Sequence, residues 1–202
     1  MHSSSINLNQ NDIDITIPAY LTGDYSDYLP LQLTNQDIET FRSLHVLSSE
    51  KIFEYGRIMY ENGETNIMTN HMKNMVRLPV EEIDHTNLRV YHSHTNDTPP
   101  SSQDFFPLTL LKVSQIGVIA RNGDIWIVKP GSGYRPSVNE LKDTIHLIKE
   151  EVDTNTILSM NSVGFTTGEL NYISIRECFF RISREFKWDV YGGSIYEMQQ
   201  LQ

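Results

Sequence analysis

Two Asn-Gly steps, Asn62-Gly63 and Asn122-Gly123, limit what this chain can become. Each sits between apolar runs, "FEYGRIMYENGETNIMTN" and "QIGVIARNGDIWIVKPG". Asn and Gly accept the positive φ of a tight turn, so both stretches read as β-hairpins. "TNLRVYHSH" is a further strand candidate. Three helices are predicted around these strands. The first is "LTNQDIETFRSLHVLSSEK", with Thr34 as N-cap and Asp37 three residues later. The second is "SVNELKDTIHLIKEEVD", with Ser137 and Glu140 as a capping box, and the third is "ELNYISIRECFFRISREFKW". In the last, Ile175, Cys178, Phe179, Ile182 and Phe186 recur at helical spacing as a core-facing stripe. The expected fold class is α+β, a small mixed or antiparallel sheet flanked by helices. Residues 1–15 read as a disordered tail, 16–135 as the core that carries the chemistry, and 136–202 as a C-terminal helical extension packed on it.

Charge excludes several functions. Twenty-six acidic against sixteen basic residues give a formal charge of −10, which opposes a phosphate backbone, so no nucleic acid is expected as partner. No run approaches the roughly 18 apolar residues of a membrane span. The start, "MHSSSINLNQNDIDI", lacks a basic stretch followed by an apolar one. The expected location is cytoplasmic, or exported without a cleavable signal peptide. A single cysteine, Cys178, rules out an intramolecular disulfide, a four-cysteine zinc knot and the two-cysteine deaminase signature. In its helical stripe it reads as a small buried hydrophobe.

The chemistry concentrates in "VYHSHTNDTPPSSQDFF", residues 90–106. On a strand, Leu88, Val90, His92 and His94 point one way while Arg89, Tyr91 and Ser93 point the other. Two imidazoles so placed can grip one metal ion, and a catalytic zinc commonly takes three protein ligands and leaves one position open. Asp104, at the start of a predicted helix, is the candidate third ligand; Asp97, in the loop, is its rival and suits an Asx-type turn. Ser101 and Asp104 have a plain structural role open to them as well, since Ser followed by a carboxylate three residues on is an N-cap pair.

The pattern H-S-H, a short loop, then S-x-x-D resembles the signature of the JAMM (MPN-like) zinc metallopeptidases. The resemblance is specific over residues 92–104 and extends as a strand pattern over about 50–130. It implies a layered α+β fold akin to cytidine deaminases, Zn²⁺ as cofactor, and hydrolysis of a peptide or isopeptide bond in a protein or peptide substrate. It implies His92, His94 and Asp104 as ligands and Ser101 as the hydroxyl that helps hold the tetrahedral intermediate. It also implies a glutamate on an early strand as proton shuttle. Glu54, in "FEYGRIMYENGE", fits best; Glu61 and Glu64 rank behind it at a hairpin tip, and Glu81 and Glu82 read as solvated loop residues. The loop from Thr95 to Pro100 is one residue shorter than the family's usual form, and Thr95 stands where many members have Pro. In this it resembles phage-associated and bacterial-toxin-like branches more than deubiquitinases.

Two other classes of function fit the same residues. One is a JAMM-like scaffold or interaction module without turnover; the other is the toxic domain of a secreted bacterial effector. An activating partner protein is compatible with each. The remaining histidines, His2, His45, His71, His85 and His146, read as surface or satisfied core residues. "KPGSGYRP" lacks the Lys-Ser/Thr of a phosphate loop, and no G-x-S-x-G elbow supports a serine hydrolase.

Overall fold

The computed structural model of the protein describes residues 28–196, apart from 51, 64, 74, 132, 133, 164 and 165. The expected tail, residues 1–15, and Glu64 lie outside the described residues.

Seven strands form one mixed sheet: β1 (Leu29–Pro30), β2 (Gly56–Met59), β3 (Thr65–Met68), β4 (Leu88–Ser93), β5 (Val113–Ile119), β6 (Asp124–Lys129) and β7 (Asp189–Ser194). Their order across the sheet is β1-β7-β6-β5-β4-β2-β3. Both Asn-Gly steps close hairpins, β2 with β3 and β5 with β6. Gly63 and Gly123 take φ of 86° and 89°, the left-handed backbone these turns require.

Helix α1 (Asn35–Glu50) lies on one face of the sheet. Helices α2 (Val138–Val163) and α3 (Thr167–Glu185), with a 3-10 segment at Ser102–Thr109, lie on the other. The alternation read from β4 divides between the two layers. Leu88 and Val90 pack with Phe105, Leu108, Phe179 and Ile182, whereas Tyr91 packs with Phe41 and Leu44 under α1. Of the stripe predicted in α3, Cys178, Phe179, Ile182 and Phe186 are buried and Ile175 is half-buried. The protein is therefore mixed α and β with helices on both faces, a wider sheet than expected. Among the described residues no helix is long and apolar enough to cross a membrane.

The expectation of a helical extension over 136–202 is corrected in one respect. That segment also carries β7, which enters the sheet between β1 and β6. Two glycines hide it from strand propensity. One of them answers a packing need: a Cβ on Gly192 would lie 2.9 Å from the Tyr28 ring.

A buried polar cluster ties α1 to the back of β4. The Thr34 backbone N–H and hydroxyl donate to Asp37 Oδ2 at 2.9 and 2.7 Å, the cap expected from sequence. Asp37 Oδ1 accepts from Arg89 Nη1 at 2.5 Å and from the Tyr91 hydroxyl at 2.6 Å. Gln115 donates in turn to the Tyr91 oxygen. One carboxylate thus closes a helix end and neutralises a strand residue on the face opposite the histidines.

Gly117 of β5 leaves room for this layer, since a Cβ there would lie 2.6 Å from the Tyr91 ring and 2.8 Å from that of Phe41. Both rings are fully buried and cannot swing away. Gly117→Ala should lower stability by about 1–3 kcal/mol. Gly168→Ala, in the first turn of α3 with nothing within 4 Å of the added carbon, should be neutral or stabilising. Urea unfolding of the two variants checks both; equal effects would contradict the packing described.

Candidate metal centre

The pairing of β4 decides where its end can go. β4 runs parallel to β5 and antiparallel to β2. A parallel neighbour cannot be reached by a tight turn, so the chain leaves the sheet after His94, crosses one face and returns at Val113. That crossover contains the Thr95–Pro100 loop and the 3-10 segment, and it lies on the face that carries Leu88, Val90, His92 and His94. The turn brings Asp104 back over the two imidazoles.

The strand end is firmly held. His94 N–H donates to the Ile119 carbonyl at 2.8 Å, and Ser93 N–H to the Tyr55 carbonyl at 2.8 Å. Tyr55 N–H returns a bond to Ser93 Oγ at 3.1 Å. Gly56 sits opposite His92 in the β2–β4 register. Continuing that register past the Tyr55–Ser93 bonds sets Glu54 opposite His94, so Glu54, His92 and His94 share a face.

His92, His94 and Asp104 converge. The two Nε2 atoms are 3.2 Å apart; Asp104 Oδ1 is 3.0 Å from His92 Nε2, and Oδ2 is 3.5 Å from His94 Nε2. Two nitrogens about 2.0–2.1 Å from a tetrahedral zinc would stand roughly 3.3 Å apart, so the spacing fits a shared ion. The tautomer fits as well. His94 Nδ1 faces the Thr98 carbonyl at 3.0 Å and the Thr98 hydroxyl at 3.2 Å. A proton on Nδ1, donated to that carbonyl, leaves a lone pair on Nε2 aimed into the cluster. The three side chains form a group that can hold a metal ion.

Asp104 divides its oxygens. Oδ2 accepts from the Ser101 backbone N–H at 2.6 Å and from the Ser101 hydroxyl at 2.9 Å, fixing the start of the 3-10 segment. Oδ1 faces His92. One carboxylate thus caps the 3-10 segment and faces the imidazoles at once, the two roles that the sequence left open together.

Electrostatics agree with this geometry. Burial by itself would raise Asp104, but the two imidazoles outweigh it and hold the carboxyl well below the usual range. Burial lowers His94, and the hydrogen bond and charge of Asp104, helped by Glu54, reverse the sign and leave it raised. Glu54 is 7 % exposed, and its carboxyl is raised by burial, partly offset by His94 and His92.

Glu54, Ser101 and the three convergent side chains all line a cavity of about 720 Å³. Asp97 is exposed and outside the group. Glu61, Glu81 and Glu82 are exposed as well, and none of them lines the cavity. His71 and His85 are exposed, His45 is half-buried against Tyr196, and His146 pairs with Glu150 on the surface of α2. Sequence reasoning missed Thr98, the partner of His94, and the wall built by Met75, Arg77 and Leu78. Nothing in their local pattern marks them, because the wall lies between β3 and β4 and meets the site only through the fold.

Compared with protein-family models, curated proteins and solved structures, the chain gives no significant match to any. The site therefore has to be read from its own geometry.

A divalent cation that this group holds, with Zn²⁺ as the probe, should titrate to one equivalent per chain. At 100-fold excess over Kd it should add about 2.7 kcal/mol of stability, roughly 5–10 °C in Tm. Double substitution, His92→Ala with His94→Ala, should abolish both effects. Calorimetric titration and thermal melts with and without a chelator measure them, and an unchanged stoichiometry in the double variant would place the ion elsewhere.

Proposed function

We propose that the protein is a zinc-dependent hydrolase of the JAMM kind that cleaves a peptide or isopeptide amide bond. The observation that carries the reading is the convergence of two imidazole nitrogens and one aspartyl oxygen in a cavity that also holds a buried glutamate. A nitrogen-rich set with one carboxylate suits zinc, and three ligands leave a coordination position free. Zinc held there would supply a bound water whose pKa falls towards about 7 and would polarise the substrate carbonyl.

The chain's own groups account for the remaining steps. Glu54 takes a proton from the attacking water as oxygen bonds to the carbonyl carbon. It then delivers that proton to the amide nitrogen as the C–N bond breaks, giving a carboxylate and an amine. Its burial suits the task, because a raised carboxyl is a stronger base toward the attacking water than an ordinary glutamate. The Ser101 hydroxyl donates to Asp104 at rest. To stabilise the developing oxyanion it turns its proton toward that oxygen, and Asp104 keeps the Ser101 backbone N–H as its cap. Thr98 keeps His94 in the tautomer a ligand needs.

A second reading draws on the capping geometry. His92 with a proton on Nε2 can donate to Asp104 Oδ1 at 3.0 Å, which with the Ser101 cap makes a closed structural cluster in a scaffold without turnover. Metal content separates the two readings, for a scaffold of that kind takes up no zinc.

Glu54→Gln should keep the fold and the zinc while lowering hydrolysis of a quenched-fluorescence peptide library by at least about 10²–10⁴-fold. Metal analysis and turnover on the same sample check it, and an active, zinc-loaded Glu54→Gln protein would remove Glu54 from the mechanism.

A further inference from the structure

Beside the metal cavity lies a second groove of about 490 Å³, between the 3-10 segment and helices α2 and α3. Ser101 and Gln103 line both spaces, so the groove adjoins the metal cavity. We propose that this groove is a specificity subsite for the carboxamide side chain of an Asn or Gln on the acyl side of the cleaved bond. The proposal rests on the amide-hydrolase reading above.

Composition of the groove names the ligand. Lys149 and Asp153 stand one turn apart on α2 and both face it. Among the described residues neither is engaged in an ion pair. Gln103 and Asn171 add neutral amides. Lys149 can only donate and an ionised Asp153 can only accept, and their charges cancel. A charged side chain would meet one favourable and one repulsive partner. An apolar one would bond to neither, and the exposed Lys149 would stay hydrated beside it. A carboxamide offers an acceptor to Lys149 and a donor to Asp153 at once.

The floor is unreactive. Cys178, the chain's one cysteine, lies there nearly buried, and burial pushes its thiol up to about 11, so it stays protonated and acts as a small apolar surface. Direction along the substrate follows from Glu54, which lines the metal cavity but not the groove. The leaving amine has to lie near Glu54 to receive its proton, which leaves the groove to the acyl side.

The test uses the zinc-loaded full chain and a library of end-blocked decapeptides, with cleavage products sequenced by mass spectrometry. Asn or Gln should be favoured about tenfold over Leu, Glu and Lys at one acyl-side position. Asp153→Lys should move that preference to Asp and Glu, and Lys149→Glu to Lys and Arg, with other positions unaltered. Binding of fluorescein-labelled versions of the selected peptide to the Glu54→Gln protein, followed by anisotropy, should give the same order without turnover. Cleavage with a profile that neither charge reversal alters would overturn the subsite and leave the hydrolase reading intact. Failure to cleave any peptide in the library would overturn both.

Discussion

Parallel pairing of β4 with β5 is the constraint on which the rest of the architecture depends. Two strands that run the same way cannot be joined by a hairpin, so the chain has to climb off the sheet and cross a face before it returns. The crossover lands on the face that β4 has lined with Leu88, Val90 and the two histidines. A hydrophobic contact then fixes its position: Phe105, immediately after Asp104, is fully buried and stacks on Phe179 with centroids 5.6 Å apart. Core packing one residue away is therefore what holds the aspartate near the imidazoles. Fold and site are one problem here, solved by the same few residues.

The two faces of β4 are held in different ways. On the side of α1, Asp37, Arg89, Tyr91 and Gln115 form a satisfied buried network beneath the strand. On the other side His92, His94 and Asp104 converge within 3.0–3.5 Å of one another, with the Ser101 cap and the Thr98 contact at their edges. Buried polar groups of that kind are costly unless something satisfies them. A cation would take all three at once, and the metal reading proposed above rests on that convergence.

Local rules made part of this legible from sequence. The Asn62-Gly63 and Asn122-Gly123 turns, the Thr34–Asp37 cap and the alternation of "LRVYHSH" each depend on neighbours within a few residues, and each is found in the structure. The meeting of His92, His94 and Asp104 was expected from spacing, and the structure brings the three together. What stayed hidden depends on distant partners. β7 pairs with β1 and β6 across long stretches of chain and carries two glycines, so neither propensity nor periodicity announces it. Thr98 becomes visible as a partner of His94 only once the loop has its shape. The wall at 75–78 joins the site through sheet order alone. The fold's helices on both faces follow from which side each connection takes, and a single sequence does not encode that choice locally.

The sharing of Asp104 between a turn and the candidate metal site has a consequence for descendants of such a chain. Because Oδ2 anchors the start of the 3-10 segment while Oδ1 faces His92, selection for folding alone would preserve this aspartate in a chain without the proposed chemistry. The Glu54 side chain has no comparable second duty in the contacts described, so mutation would erode it first. A surviving aspartate would testify only to folding; an intact Glu54 would be the better witness to the chemistry proposed.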